Sequence, residues 1–187
     1  MWERSDAYVT KYFIPLQKYE FAVKHLNQTA PRLLVADAAC GLGYGTDMIV
    51  RAGHPAIGMD VSLEALNYAE NKGYRGGHVL TDISRQTFDG FDALVSIETL
   101  EHLLDPFVWL KNLRMQWLVI STTVWDGSTA HDEWHKHNFT KDQFRAMLTP
   151  KFEILDELHH SDRTSAGLEE YLTLFARNTT NRSSKPA

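Results

Sequence analysis

A run of glycines between a buried strand and a helix constrains this chain more than any other feature. The stretch is Val35-Ala36-Asp37-Ala38-Ala39-Cys40-Gly41-Leu42-Gly43-Tyr44-Gly45-Thr46. It grows out of the apolar run Leu33-Leu34-Val35-Ala36, which reads as a buried parallel strand. It leads into a helical pattern from Gly43 to Ala52 that stops at Gly53. Glycine in such a turn lets a ligand approach the backbone closely. Alone the pattern is unspecific, because dinucleotide sites and phosphate loops use similar glycines. The acid ahead of the glycines narrows the choice. A pyrophosphate is anionic and seeks helix N–H groups, and Asp37 would repel it. Thr46 stands where the third glycine of the dinucleotide fingerprint would fall, and the lysine of a nucleotide-triphosphate loop is missing. A ligand with a sulfonium and an ammonium suits Asp37, and S-adenosylmethionine carries both.

The rest of the chain repeats the strand-then-acid theme. Ala56-Ile57-Gly58-Met59-Asp60 reads as a second strand, and its acid falls about 20 residues on, where a carboxylate accepts from ribose hydroxyls. Ser62 caps a helix that stops at Gly73. His78-Val79-Leu80 is a third strand followed by Asp82, placed to accept from an adenine amino group with Ile83 against the ring. Further strands are expected at Phe91–Ile97, Trp117–Thr122, Phe152–Leu158 and Tyr171–Ala176, with helices at Pro106–Met115 and from Thr140 through Leu148. Strands alternating with helices imply an α/β, mostly parallel sheet with helices on both faces. The last two strands lack a helix between them and form an antiparallel hairpin at one edge. Each acid alone is more often a loop carboxylate or helix cap; three at successive strand ends beside this turn point to a ligand site, because ligands in such sheets gather at the carboxyl ends of strands.

Composition bounds what the site can serve. The 187 residues suffice for one core, and 43% hydrophobic with 23% charged residues is ordinary for a globular domain. A net charge of −5 disfavours a duplex nucleic-acid partner, which usually meets a basic field. With Cys40 the sole cysteine there is no internal disulfide, and it reads as a small packing residue beside the turn. No secretory or long apolar segment is visible, so the cytoplasm is the expected compartment and no membrane partner is expected. Residues 1–30 are expected to be an N-terminal helical lid, kinked or split at Pro15. Residues 31–177 are expected to be the cofactor-binding domain, and 178–187 a disordered polar tail.

The glycine stretch, Gly58-Met59-Asp60-Val61-Ser62 and Phe91-Asp92-Ala93-Leu94-Val95-Ser96-Ile97-Glu98-Thr99-Leu100-Glu101-His102, in that order, resemble the class I S-adenosylmethionine-dependent methyltransferases over roughly Tyr19 to Arg177. The last stretch is similar to the ubiquinone-biosynthesis O-methyltransferases. Tyr19-Glu20-Phe21-Ala22, the Ala39–Gly45 run and His135–Thr140 are similar to methyltransferases associated with surface-glycan biosynthesis. The resemblance implies a Rossmann-like seven-stranded sheet ordered 3-2-1-4-5-7-6, its last strand antiparallel. The cofactor contacts it implies are Asp37, Ala39, Gly41, Gly43, Asp60, Val61, Asp82, Ile83, Ile97 and Glu98. The family's proline-glycine turn before strand five is abbreviated here to Leu113-Arg114-Met115-Gln116.

By the same resemblance Ile97 and Glu98 lie near the methionine part of the cofactor and His102 faces the acceptor. Methyl transfer from a sulfonium needs in-line placement. A hydroxyl acceptor also benefits from a base, a role histidine fills near neutral pH. His135 matches a family histidine ahead of the Phe139-Thr140 helix start and joins His102 as a candidate catalytic residue. His131, His137, Trp125 and Trp134 belong to the same loop, His131 and His137 more simply as polar surface. The expected acceptor is a small molecule or glycan precursor. Alternatives remain. Glu98, Glu101, His102 and one loop histidine could bind a divalent metal, an arrangement similar to that of small-RNA 2′-O-methyltransferases, although metal-free relatives share Glu-x-x-Glu-His. A non-catalytic S-adenosylmethionine-binding module would be marked by lost cofactor residues, and none is lost. A nicotinamide oxidoreductase is disfavoured by Asp37 and Thr46.

Overall fold

The computed structural model of the chain describes residues 14–125, 127, 135–164 and 167–180; at 14, 15, 162–164, 167 and 168 it describes the backbone alone. The element order is α1 (Ile14–Thr29), β1 (Val35–Ala38), α2 (Tyr44–Arg51), β2 (Ala56–Asp60), α3 (Leu63–Asn71), β3 (Gly77–Leu80), β4 (Ala93–Ser96), α4 (Pro106–Asn112), β5 (Trp117–Val124), α5 (Lys141–Leu148), β6 (Phe152–Thr164) and β7 (Gly167–Asn178). The seven strands form one sheet in the order β3-β2-β1-β4-β5-β7-β6. β1 runs parallel to β2 and β4, and β4 parallel to β5. β7 is antiparallel to both β5 and β6. This is the sheet the resemblance implies.

Successive residues of a strand point to opposite faces, and both faces are covered. Ala36, Leu94, Leu118 and Ile120 face one core with Trp109 and Leu110 of α4, Phe144 and Leu148 of α5, and Leu172 and Leu174 of β7. Val35, Ala93, Val95 and Val119 face the other, with Tyr19, Ala22 and Leu26 of α1 and Ile49 of α2. Every residue of β1 and of β4 is buried, which is why these strands read as unbroken apolar runs. Thr140 opens α5 with a full capping box, its hydroxyl on the Gln143 N–H and the Gln143 side chain on the Thr140 N–H.

Ile14–Thr29 is helical, and the residues ahead of Ile14, where a kink or split at Pro15 would show, lie outside the described residues. Three expectations are corrected. The final strands are longer than their apolar stretches. β6 and β7 pair on to Thr164↔Gly167, so their backbones satisfy each other beyond the apolar stretches. α4 ends at Asn112, because the buried Leu113 and Met115 turn into a compact link closed by the Gln116 and Trp117 N–H groups on the Asp92 carbonyl. The chain also stays ordered past Asn178, whose side chain is buried and donates to the Met115 carbonyl at 3.1 Å. Residues 1–13, with Tyr8, Tyr12 and Phe13, and the tail from 181 lie outside the described residues. No described helix is long and apolar enough to cross a membrane.

Candidate active site

β1 and β4 are neighbours in the sheet, and the strand order reverses between them. In an open α/β sheet the crevice for a ligand lies at that reversal. The glycine turn leaves the end of β1 there. Gly41 has φ 54°, and a Cβ on it would meet no atom within 4 Å, so it borders open space. Gly43 has φ 77°, and a Cβ would fall 2.6 Å from the Ala69 Cβ and 2.8 Å from His78 Nε2. The first glycine thus frees the approach to the backbone, and the second lets the turn nest against α3 and β3.

Three acids attend the turn in different ways. Asp37 lies inside β1 with no exposed surface, not beyond the strand's end. Its two oxygens accept from Tyr19 Oη at 2.9 Å and Thr46 Oγ1 at 2.6 Å. Burial pushes its carboxyl up to about 6, against the pull of those two hydrogen bonds. Asp37 therefore orders the turn from beneath, and the threonine in the third-glycine position supplies half of its hydrogen bonding. Asp60 closes the other side, accepting from the Gly41 N–H and the Ser62 N–H, each at 2.9 Å. A carboxylate has about four acceptor positions, so a ribose diol can still be received. Asp82 is exposed, and its bonds from the Ser84 N–H and Oγ, at 3.0 and 2.7 Å, hold it below the usual carboxylate range. Ile83 is buried beside it, with its carbonyl accepting from Trp109 Nε1 at 3.0 Å, while Val61 is 68% exposed at the tip of β2. Cys40 is buried, and burial with the Asp37 charge raises its thiol, as befits a packing residue.

Asp60→Ala removes the candidate diol acceptor and the bond from the Gly41 N–H. S-adenosylhomocysteine affinity is expected to fall roughly tenfold, about 1.4 kcal/mol, in a calorimetric titration. Unchanged affinity would remove Asp60 from the site.

The end of β4 carries the second half. Ile97 is buried, and Glu98 follows with a left-handed φ of 53°. The Glu98 N–H donates to Ser121 Oγ at 2.9 Å, and its carboxylate pairs with Lys18. Glu101 is fully buried and accepts from Thr122 Oγ1 at 2.9 Å and the Thr123 N–H at 3.3 Å. Burial, then the Glu98 charge, raises it well above the usual carboxylate range. Its backbone carbonyl accepts from the N–H groups of Lys136 and His137, at 2.9 and 3.2 Å, and so ties the loop after β5 to the end of β4.

That tie sorts the histidines. His102 is exposed, and its ring meets His135 edge to face with centroids 5.0 Å apart. His135 Nδ1 lies 3.4 Å from Thr123 Oγ1. His137 turns away, with Nε2 donating to the Leu103 carbonyl at 2.9 Å and its ring stacked on Phe139. Trp125 is exposed, and His131 and Trp134 lie outside the described residues. Glu101, His102 and His135 each offer a ligand atom, all within 4.8 Å of one another. Glu98 is not in that group.

Lys18 and Tyr19 touch both halves of the site, yet neither is among the residues expected from sequence. The signal was present. Lys18, Phe21, Ala22, His25 and Leu26 follow helical spacing and are all buried, so Lys18 shares the apolar face of α1.

Known proteins share parts of this sequence and its fold. Residues 36–115 match the family described as "Methyltransferase domain". A curated relative from Dictyostelium discoideum, a probable 18S rRNA (guanine-N(7))-methyltransferase, is 38% identical over 82 residues, covering 42% of this chain; the chain spans 28% of that relative's length. Among solved structures, the Burkholderia thailandensis 1,6-didemethyltoxoflavin-N1-methyltransferase is 25% identical, with a TM-score of 0.69 over 87% of this chain and 77% of its own. The Synechocystis PCC 6803 magnesium protoporphyrin IX methyltransferase with bound S-adenosylmethionine is 19% identical, with a TM-score of 0.66 over 87% and 79%. With the strand order, the glycine turn and the acids already placed, these matches show the class I S-adenosylmethionine-dependent methyltransferase fold, with residues 36–115 similar to the methyltransferase-domain family.

Proposed function

We propose that this chain transfers the methyl group of S-adenosylmethionine to an oxygen of a small molecule or glycan precursor. One observation supports this reading above the rest: Glu101 clips the loop after β5 onto the end of β4, bringing His135 to His102 on the crevice where a cofactor seated on the glycine turn would end. The turn, Asp60 and Asp82 hold the nucleoside and methionine parts, with Val61 and Ile83 against the adenine. Ile97 and Glu98 border the methionine end. An acceptor hydroxyl lies in line with the methyl–sulfur bond. His102 takes its proton as the oxygen–carbon bond forms and the sulfonium becomes a neutral thioether. His135 orients His102 and the acceptor. The relative acting on didemethyltoxoflavin is by its name an enzyme of a small molecule. The net charge of −5 argues against a nucleic-acid acceptor.

Calorimetric titration with S-adenosylhomocysteine, with NAD as control, tests the cofactor. Micromolar binding of the first and none of the second is the expected result, and it opens an acceptor screen beginning with sugars and small phenols. No binding of S-adenosylhomocysteine would withdraw the enzyme assignment.

The grouping of Glu101, His102 and His135 favours one second reading, a divalent-metal-dependent RNA 2′-O-methyltransferase. One carboxylate and two imidazoles suit a divalent first-row metal, which would polarise an acceptor hydroxyl and ease its deprotonation. Under the first reading, dialysed protein retains no stoichiometric metal and chelation leaves methyl transfer unchanged. Stoichiometric manganese or cobalt that is lost on His135→Ala, with methylation of RNA 2′-hydroxyls, would establish the second.

A further inference from the structure

Two adjacent residues of α1 reach the ends of two different strands. Tyr19 donates to Asp37 in β1 and lays its ring against Gly45 of α2. Lys18 pairs with Glu98 just past β4, and its Nζ lies 3.7 Å from the ring centroid of Tyr171 on β7. These strands are the pair between which the sheet order reverses.

The backbone is strained just past both strands. Ala39 has φ 59° and Glu98 has φ 53°, two of the three non-glycine residues with positive φ among the described residues. Such conformations persist only where the surroundings over-determine them, and they cluster at ligand sites. Lys18 is fully buried; burial pulls its ammonium down while Glu98, Glu101 and Glu169 pull it up. A buried ion pair is a poor source of stability, since an apolar replacement often serves as well, and its better-attested use is to fix a register. On α1 that register sets the helix against both walls of the crevice at once.

We propose that Lys18 and Tyr19 are positioning residues for the cofactor, and that α1 is a brace holding the strained turns at Ala39–Gly41 and at Glu98 in their ligand-ready form. The ligand in this proposal rests on the cofactor reading above; the bracing of the two turns does not. Both side chains are buried, so they act on the site through Glu98 and Asp37.

Lys18→Met and Tyr19→Phe test it, with amide hydrogen exchange of the free protein and S-adenosylhomocysteine titrations read side by side. Exchange of the Gly41 and Glu98 amides, bonded in the wild type to Asp60 and Ser121, is expected to quicken roughly tenfold relative to Leu118–Ile120 in β5. Affinity is expected to fall roughly five- to tenfold in each variant. Tyr19→Phe should do one thing more. Asp37 is faced by Tyr19 from α1, Thr46 from α2, Cys40 in the turn and Asp60 from β2, with Tyr44 against the Tyr19 ring. Removing the phenol takes away a bond that favours the ionised acid, so the pH below which affinity declines should move up. Faster exchange spread evenly over the chain would mean a general loss of stability and overturn the bracing, as would wild-type exchange in both variants. Local quickening in a protein that binds no S-adenosylhomocysteine even as wild type would leave the brace standing and bring down the cofactor reading instead.

Discussion

Gly45→Ala is expected to destabilise the chain by about 3 kcal/mol and to abolish measurable binding of S-adenosylhomocysteine. In an ordinary helix the change would help slightly, because alanine is the better helix former. Here a Cβ would fall 2.0, 2.2 and 2.4 Å from three atoms of the Tyr19 ring. The ring cannot swing aside cheaply. Tyr19 is 3% exposed, meets Tyr44 edge to face at 5.6 Å, and ends in the hydroxyl that serves Asp37. Overpacking of a filled core costs about 1–3 kcal/mol. Moving the ring adds the loss of a hydrogen bond to a buried carboxylate, about 1–3 kcal/mol. Urea unfolding measures the total. The double variant Gly45→Ala with Tyr19→Val should recover part of the loss, because the smaller side chain makes room, and a cycle of the four proteins isolates that coupling. A Gly45→Ala protein with the wild-type midpoint and wild-type affinity would show that the contact is not close.

The same contact shows where sequence reading succeeds and where it stops. The glycine turn, its acids and the alternation of strands with helices are legible because they rest on local patterns: short apolar runs for strands buried on both faces, acids at their ends, and helices between them. The sheet order follows only from the family resemblance. Asp60 and Asp82 stand where that logic expects acids, at strand tips. Asp37 departs from it, because β1 runs on to Ala38 and takes the acid inside the sheet. The reason for Gly45 is not local at all, since the atom it makes room for belongs to a residue 26 positions earlier (45 − 19). Lys18 is hidden for a related reason. A lysine is expected at the surface, and distant partners, Glu98 eighty residues away and the Tyr171 ring, account for its burial. The long β6–β7 hairpin escapes because its arms satisfy each other through backbone bonds, which leave no mark in side-chain pattern. His135 and His137, two positions apart, differ in role only because Glu101 and Leu103 present backbone carbonyls to that loop.

Asp37→Asn is expected to become more stable relative to the wild type, by about 3 kcal/mol, as the pH is raised from 4 to 7. In the folded chain Asp37 titrates at about 6, against 3.8 for a free side chain, mainly because burial penalises its charge. Between these values the folded state holds a proton that the unfolded state has released. Stability contributed by this group is therefore complete below 3.8 and declines as pH rises to about 6. Two pH units at about 1.4 kcal/mol each set the size of the change. The asparagine cannot ionise, and its single carbonyl oxygen serves one hydroxyl of Tyr19 and Thr46 in place of two, a loss that does not vary with pH. The difference in unfolding free energy between the proteins thus isolates one acid from every other titration, including that of Glu157, which Arg145 holds down at about 2. A flat difference across this range would mean that Asp37 is not buried as an acid. S-adenosylhomocysteine should flatten the slope in the wild type, because an ammonium at the methionine end favours the ionised carboxylate and returns its titration towards the ordinary range. An acid kept inside β1 at such a cost at neutral pH is a poor choice for stability alone. Under the proposed function, its value lies in the negative charge it offers beneath the turn to a cationic ligand.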